Sequence, residues 1–265
     1  MGFGCKMFTW ASKQSFEIPG VSQLFIDQIR YLRSTFQEAV MSDPNTYHFK
    51  LPRSKRPSEV TLSDPWYPGV QKYWPTCTTK RSVDPIFGVT TLVVHATAGS
   101  SSAGAVSVMK KTTNPASFHW LVPDEDEAQH GQFVWACVPE ALAAWHVRNA
   151  ASHPEVNSGQ KRVNHWSLGI EVVNFQVSDP FSPWQIEATA RVARYCWAKY
   201  PNLTDVVSHA KLDPTRRTDP GVHFDWDRFK TLVLSSKSEP ISPLIATVVS
   251  VAKTKGSTTV GCCDV

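Results

Sequence analysis

Two residues in the last quarter of the chain, His209 and Asp219, have the types and the setting expected of metal ligands. His209 follows an apolar pair of valines, a proline-punctuated loop comes next, and Asp219 stands directly before a Pro-Gly pair. A catalytic zinc site takes three protein ligands from His, Asp, Glu or Cys and leaves one position for water. The third candidate is His95, at the end of the apolar run Thr91–Val94. Taken alone, the pattern is weak, and a capping Asp in a turn with a hydrogen-bonded His at a strand end explains it better than a metal site does.

Five short sequence blocks follow one another between residues 88 and 232. In chain order they are Val93–Gly99, Ala116–Val122, Ala144–Val147, Ser167–Val172 with Asn164 before it, and Thr218–Gly221 with His209 before it. Their order resembles that of the zinc-dependent N-acetylmuramoyl-L-alanine amidases. This is the amidase-2 group, which also contains phage lysozyme-type amidases and peptidoglycan recognition proteins.

The resemblance implies a Zn²⁺ site whose ligands are His95, His209 and Asp219. The family has either Cys or Asp at the third position, and Asp places the chain nearer the bacterial wall-recycling and wall-remodelling enzymes. The family also implies a glutamate base that takes a proton from water and returns it to the leaving amine. Glu171 matches that glutamate. The alternative for Glu171 is a strand-end glutamate paired with an arginine.

Two positions depart from the family pattern. Where the family usually has a lysine two positions before the third ligand, this chain has Arg217. Arginine keeps a positive charge and fixed donors, but it does not simply substitute for lysine. A tyrosine of the phage-type enzymes is replaced by Phe118, which cannot donate a hydrogen bond. We therefore expect Glu171 and Arg217 to surround the reacting carbonyl.

Four further residues are implied as substrate contacts. His119 and His146 match motif histidines that lie in the substrate groove or behind the metal ligands, and hydrogen-bonded core histidines are the alternative. Trp145 and Asn164 are expected to line a groove for the muramyl sugar and its peptide.

The function implied is hydrolysis of the amide bond between N-acetylmuramic acid and L-alanine, in peptidoglycan or in muropeptides. Three alternatives stay open: a module that binds peptidoglycan without cutting it, a cytoplasmic enzyme that recycles anhydro-muropeptides, and a zinc-stabilised structural domain. The complete ligand set favours an enzyme. A wall-degrading, antibacterial role is preferred because the chain is longer than a minimal recycling amidase, and a delivered effector would imply an immunity or delivery partner.

Composition narrows the remaining classes. The chain has 265 residues, 42% of them hydrophobic and 19% charged, with a formal net charge of +4, which is ordinary for a globular protein. No Lys/Arg cluster with interleaved aromatics suggests a nucleic-acid partner. We expect no membrane span and no Sec signal, because polar residues interrupt the first twenty positions and no apolar run reaches about 18–20 residues. Cys137 and Cys196, inside apolar runs, are predicted to be buried thiols.

The pattern of strands and helices predicts an α/β fold, a single mixed β-sheet flanked by helices. Residues 1–85 are expected to form an N-terminal extension with an amphipathic helix at 21–41 and a Pro-rich irregular segment. Residues 86–235 form the catalytic domain and residues 236–265 a tail. Within the domain, strands are predicted at 90–95, 117–122, 132–138, 168–173 and 206–207, and helices at 103–111, from the Ser-Pro-Trp-Gln cap at 182–185, and at 226–234.

Overall fold

The structure is a computed structural model that describes residues 43–58, 77–113, 115–176 and 179–235. The amphipathic helix predicted at 21–41 and the tail from 236 onward lie outside these residues, and the division of the chain at 85 and 235 stays a prediction. Within those four ranges the structure contains no helix with both the length and the apolar character that a membrane crossing requires.

A six-stranded mixed sheet forms the centre of the domain, in the order β1-β8-β3-β7-β4-β5. The four inner strands are parallel, and both edge strands are antiparallel to their neighbours. The strands are β1 (His48–Lys50), β3 (Thr91–Ala96), β4 (Trp120–Val122), β5 (Trp135–Ala136), β7 (Ser167–Val172) and β8 (Asp205–Ser208). The predicted mixed sheet flanked by helices is therefore confirmed.

A separate two-stranded ribbon pairs β2 (Thr78–Lys80) with β6 (Leu142–Ala144). The described residues also form four α-helices: α1 (Ser102–Met109), α2 (Pro183–Lys199), α3 (His209–Leu212) and α4 (Trp226–Leu234). Short 3-10 helices lie at Pro44–Thr46, Arg53–Lys55, Asn157–Gly159 and Val163–His165. Neither ribbon strand nor β1 was predicted, because each has three residues and no alternating apolar pattern. The strands predicted at 117–122 and 132–138 are shorter than expected, since only three and two of their residues pair.

One face of the sheet is covered by α2 and α4, with a continuous apolar core between them and the strands. Helix α2 begins where predicted: the Ser182 hydroxyl accepts a hydrogen bond from the Gln185 backbone N–H, and the Gln185 side-chain oxygen accepts one from the Ser182 backbone N–H. Capping satisfies backbone donors that the first turn would otherwise leave unpaired. The apolar pattern of this helix also predicts one buried face, and its residues are buried in the structure: Ile186, Ala190, Ala193 and Trp197, followed by Tyr200 at the C-terminal end.

The opposite face is interrupted along β7. Across this face His95 pairs with Glu171, and Val93 pairs with Gly169. Apolar residues on either side belong to two separate clusters, one containing Leu121 of β4 and the other Val93 of β3. Strand β7 itself presents Gly169 and Glu171 there, because side chains alternate between the two faces of a strand. The polar groups of the candidate site lie along this interruption.

The predicted buried thiols are confirmed, since Cys137 and Cys196 are both fully buried.

Candidate metal centre and active site

The three predicted metal ligands converge at the carboxyl ends of β3 and β8. The Nδ1 atoms of His95 and His209 lie 3.0 Å apart, and each lies 3.1 Å from Oδ2 of Asp219. All three side chains are buried. A tetrahedral zinc ion about 2.0–2.1 Å from its nitrogen ligands places neighbouring ligand atoms about 3.3 Å apart. The triangle is therefore of the size that one such ion requires, with two imidazoles and one carboxylate as donors.

Local structure fixes two ligands on a single loop. Ser208 ends β8 and caps α3, so His209 is the first residue of the helix and lies directly at the end of the strand. The backbone N–H of Ala210 donates to the carbonyl of Asp219 at 3.0 Å and closes the loop. Gly221 then adopts φ 92°, and a Cβ there would lie 3.1 Å from the Gln176 carbonyl. The left-handed conformation and the close approach both require glycine.

Gln176 connects that loop to the end of β3. Its amide nitrogen donates to the carbonyl of Ala96 at 2.7 Å, and its amide oxygen accepts a hydrogen bond from Thr218 at 3.3 Å. Since Ala96 and Thr218 are the chain neighbours of His95 and Asp219, this one side chain links the segments that carry two of the candidate ligands. The sequence pattern carried no signal for it.

The protonation states of the ligands suit a cation. Burial, with the charge of His209, lowers the pKa of His95 to about 4. Burial alone would raise the pKa of Asp219, but the charges and hydrogen bonds of His209 and His95 outweigh it and hold that pKa below its usual range. At neutral pH His95 is thus a neutral imidazole and Asp219 a carboxylate, the forms that bind metal ions.

A hydrogen-bond chain extends from His95 away from the ligand triangle. Its Nε2 lies 2.9 Å from Nδ1 of His146, and Nε2 of His146 lies 3.2 Å from the hydroxyl of Ser167. The Ser167 hydroxyl donates to the carbonyl of Val163 at 2.7 Å. His146 is therefore buried behind a metal ligand, one of the two positions expected for it.

Asn164 and His119 are buried and bonded to the protein itself. Asn164 accepts from the backbone N–H groups of His146 and Val147 and donates to the Val147 carbonyl. His119 accepts from the N–H of Gly169 through Nδ1, while its Nε2 faces the Leu142 carbonyl. Burial, with the charge of Arg81, lowers the pKa of His119 well below its usual range. Their expected role as substrate contacts stays a prediction, and these hydrogen bonds favour a positioning role.

Trp145 is a large apolar side chain at 36% exposure, directly before His146 in the chain. Phe175, beyond the end of β7, is 51% exposed and was not singled out from the sequence. Of the four expected substrate contacts, Trp145 is the one whose ring remains open to a ligand. Phe118, in the place of the family tyrosine, is buried in the cluster that contains Leu121.

Glu171 lies beside the ligand triangle as the direct partner of His95 across β3 and β7. Burial and the nearby Asp219 carboxylate raise the pKa of Glu171 well above its usual range, and the charge of Arg217 opposes them. Within the four described ranges, no side chain forms a hydrogen bond or salt bridge with the Glu171 carboxylate. The alternative of a glutamate paired with an arginine at a strand end is thus not what the structure has.

Arg217 is exposed on the loop between the two ligands His209 and Asp219. Its charge lowers the pKa values of Glu171 and His95, which places the guanidinium within electrostatic range of both. The site therefore combines a ligand triangle, a carboxyl of raised pKa and an accessible positive charge.

Residues 85–222 match the N-acetylmuramoyl-L-alanine amidase family, and because the match spans more than half of the chain, the protein belongs to that family. It is similar to the N-acetylmuramoyl-L-alanine amidase AmiD of Escherichia coli K12, 34% identical over 147 residues, which are 52% of this chain and 50% of AmiD. It is also similar to the 1,6-anhydro-N-acetylmuramyl-L-alanine amidase AmpD of Enterobacter cloacae, 31% identical over 106 residues, which are 40% of this chain and 54% of AmpD.

Among solved structures, AmpDh3 of Pseudomonas aeruginosa is 28% identical, with a TM-score of 0.48 over 57% of this chain and 63% of that one. The chain spans about half the length of the curated relatives that it matches.

Proposed function

We propose that the protein is a zinc-dependent amidase that cleaves the bond between the lactyl group of N-acetylmuramic acid and L-alanine of the stem peptide. The observation that carries the proposal is the triangle of His95, His209 and Asp219 with Glu171 directly beside it. A structural zinc site has four protein ligands, whereas three leave a position for substrate or water. Three ligands with an open position and an unpaired carboxyl beside them are typical of a hydrolytic zinc site and not of a structural one.

The donor set supports zinc as the ion. Two imidazole nitrogens and one carboxylate oxygen are typical zinc ligands, and magnesium or calcium sites use oxygen ligands almost throughout. When bound, zinc lowers the pKa of a coordinated water to about 7 and polarises a carbonyl group. The residues around it must then move one proton and stabilise one developing negative charge.

Glu171 is the proposed proton carrier. Its carboxylate takes the proton that the attacking water loses and passes it to the amine nitrogen as the amide bond breaks. A carboxyl whose pKa lies above its usual range holds a proton more readily than an ordinary glutamate, which suits the return of that proton to the amine. Burial and the Asp219 charge supply that shift.

Arg217 is the proposed stabiliser of the carbonyl oxygen. Its guanidinium is exposed and lies within electrostatic range of Glu171. Donors aimed at developing oxyanion charge contribute several kcal/mol in well-ordered sites. Arg217 supplies two parallel donors where a lysine would supply a single charge.

The test is mass spectrometry of soluble products after purified sacculi are incubated with the zinc-loaded protein. The expected products are stem peptides that begin with free L-alanine. Asp219→Asn should abolish them, whereas Asp227→Asn, at an exposed position on α4, should not. Sacculi that retain all their peptides yet bind the protein would replace the proposal with the non-catalytic binding module.

A second substrate is favoured by one comparison, since the AmpD relative is named for 1,6-anhydro-N-acetylmuramyl-L-alanine. The same assay with soluble anhydro-muropeptides separates the two cases. If the protein cleaves anhydro-muropeptides but leaves sacculi intact, it would be assigned to recycling. An antibacterial role and an immunity or delivery partner stay predictions from the sequence.

A further inference from the structure

A buried arginine outside the matched family region contacts the elements behind the metal centre. Arg81 follows β2 in the chain and is 5% exposed. The family match begins at residue 85. The Arg81 guanidinium donates hydrogen bonds to four backbone carbonyls, those of Glu140 (3.0 Å), Asn164 (3.1 Å), His165 (3.0 Å) and Ser167 (2.9 Å). It also lies 3.0 Å from Nε2 of His119.

The charge of Arg81 is costly where it lies. Burial lowers its pKa to about 10, with the charges of Tyr200 and Glu140 opposing, so it stays protonated at neutral pH. Within the described residues no carboxylate forms a salt bridge with it. A buried charge that no salt bridge neutralises is expensive unless its donors are satisfied. Here neutral carbonyls satisfy them, which ties several chain segments to one rigid group.

Two of those carbonyls belong to the residues that hold His146. The Asn164 side chain accepts from the backbone N–H groups of His146 and Val147. The Ser167 hydroxyl meets the His146 ring. Arg81 therefore holds the main chain of both residues that position His146. Asn164 binds the backbone of His146, and Ser167 binds its imidazole.

The direction of the hydrogen bonds determines the tautomer of His95. A carbonyl only accepts, so the Ser167 hydroxyl donates its hydrogen to Val163 and accepts from Nε2–H of His146. The remaining nitrogen of a neutral imidazole is an acceptor, so Nδ1 of His146 accepts from Nε2–H of His95. Nδ1 of His95 is then left with a free lone pair, and this is the atom that faces His209 and Asp219.

We propose that Arg81 is a positioning residue for the metal centre, acting through Asn164, Ser167 and His146 to fix the orientation and tautomer of His95. The inference rests on the proposed function only in taking His95, His209 and Asp219 as a zinc site. Groups behind metal-bound histidines commonly change metal affinity about 10- to 100-fold when they are replaced. Arg81→Lys keeps the charge, but a single ammonium cannot reach carbonyls on so many sides.

The experiment measures zinc affinity of the full chain by competition with a chromogenic chelator, together with the visible spectrum of the cobalt-loaded protein. Arg81→Lys and Ser167→Ala are compared with Arg56→Lys. Arg56 is a matched control, because its guanidinium also donates to two backbone carbonyls, Ala198 and Pro201, at the end of α2. Circular dichroism and thermal unfolding are recorded for every variant.

We expect Arg81→Lys to bind zinc about 10- to 100-fold more weakly with a changed cobalt spectrum, and Ser167→Ala to change both in the same direction but less. Arg56→Lys should lose only thermal stability. A folded Arg81→Lys protein with wild-type affinity and spectrum overturns the proposal. If Arg81→Lys does not fold, Ser167→Ala decides, and wild-type values there overturn it equally. These readouts need no substrate. If the sacculus assay contradicts the amidase proposal, the zinc-affinity result for Arg81 is therefore unaffected, and a negative result for Arg81 does not contradict the amidase proposal.

Discussion

The two faces of the central sheet are built differently from the same strands. Beneath α2 and α4 the strands contribute an unbroken apolar layer, and burial of that layer stabilises the fold. On the opposite face β7 contributes Gly169 and Glu171, and buried histidines, Ser167 and Arg81 are joined by hydrogen bonds. Polar groups of this kind stabilise little on balance, since their hydrogen bonds replace others made with water. The first face carries the continuous apolar core, and the second carries the polar groups of the candidate site between two smaller apolar clusters.

Glu171→Gln is expected to give the largest difference between an effect on activity and an effect on stability. Loss of a general acid–base group costs about 10²- to 10⁴-fold in rate. Thermal stability should stay the same or rise, because the variant removes a buried carboxyl that has no hydrogen-bond partner among the described residues. Release of stem peptides over time and differential scanning calorimetry report the two effects. A variant that is markedly destabilised would mean that Glu171 has a structural role.

Trp197→Ala should give the converse result. Removing a fully buried tryptophan from the core beneath α2 costs about 3–5 kcal/mol of unfolding free energy. Zinc affinity of the folded fraction should not change, because Trp197 lies on the other side of the sheet. Urea unfolding and chelator competition measure these quantities. A parallel loss of zinc affinity would show that the two faces are coupled.

Zinc itself should stabilise the fold through the second face. A ligand that binds only the folded state at about 100 times its dissociation constant adds about 2.7 kcal/mol. Removal of the ion with a chelator should therefore lower the unfolding temperature of the wild type. The Asp219→Asn protein should unfold at the same temperature with and without the chelator, and an equal shift in both proteins would place the ion elsewhere.

A smaller effect is expected from the pH dependence of stability. His119 has a pKa well below its usual range in the folded protein, through burial and the charge of Arg81, whereas an unfolded histidine titrates near 6.5. As the pH falls below about 6.5, the unfolded chain binds a proton that the folded chain does not, so stability decreases by about 1.4 kcal/mol per pH unit for this group.

His119→Gln tests that dependence, because a glutamine amide can accept from the Gly169 N–H and donate to the Leu142 carbonyl, yet it does not titrate. Urea unfolding of the metal-free proteins between pH 7 and pH 5 should give a shallower decline for the variant than for the wild type. The histidines at 95 and 146 shift in the same direction, so some slope should remain. Equal slopes in the two proteins would contradict the assignment.

The three candidate ligands were predicted from the order of the five sequence blocks, because the spacing of His209 and Asp219 alone does not distinguish a metal site from a turn. The structure brings them together: His95 and His209 follow β-branched runs, and Asp219 precedes a Pro-Gly pair. The helix that begins at Pro183 was predictable from local sequence, since its cap lies within four residues.

The groups behind the ligands could not be predicted in this way. Arg81 donates to backbone carbonyls as far away as Ser167, and every residue has a carbonyl, so its partners leave no mark on the sequence. Gln176 likewise acts through the carbonyl of Ala96. The three-residue strands β1, β2 and β6 depend on partners distant in the chain, and their own residues show no periodicity that could indicate them.

Gly169 shows how a change far from any reacting atom could reach the metal. A Cβ at this position would lie 2.8 Å from Cγ of His146, so even an alanine must displace the imidazole. Residue 169 is buried, and in a random screen its replacement by alanine would look like a conservative change within a β-strand. Its phenotype would nevertheless be that of a metal-binding variant, with a folded protein that needs more zinc to work.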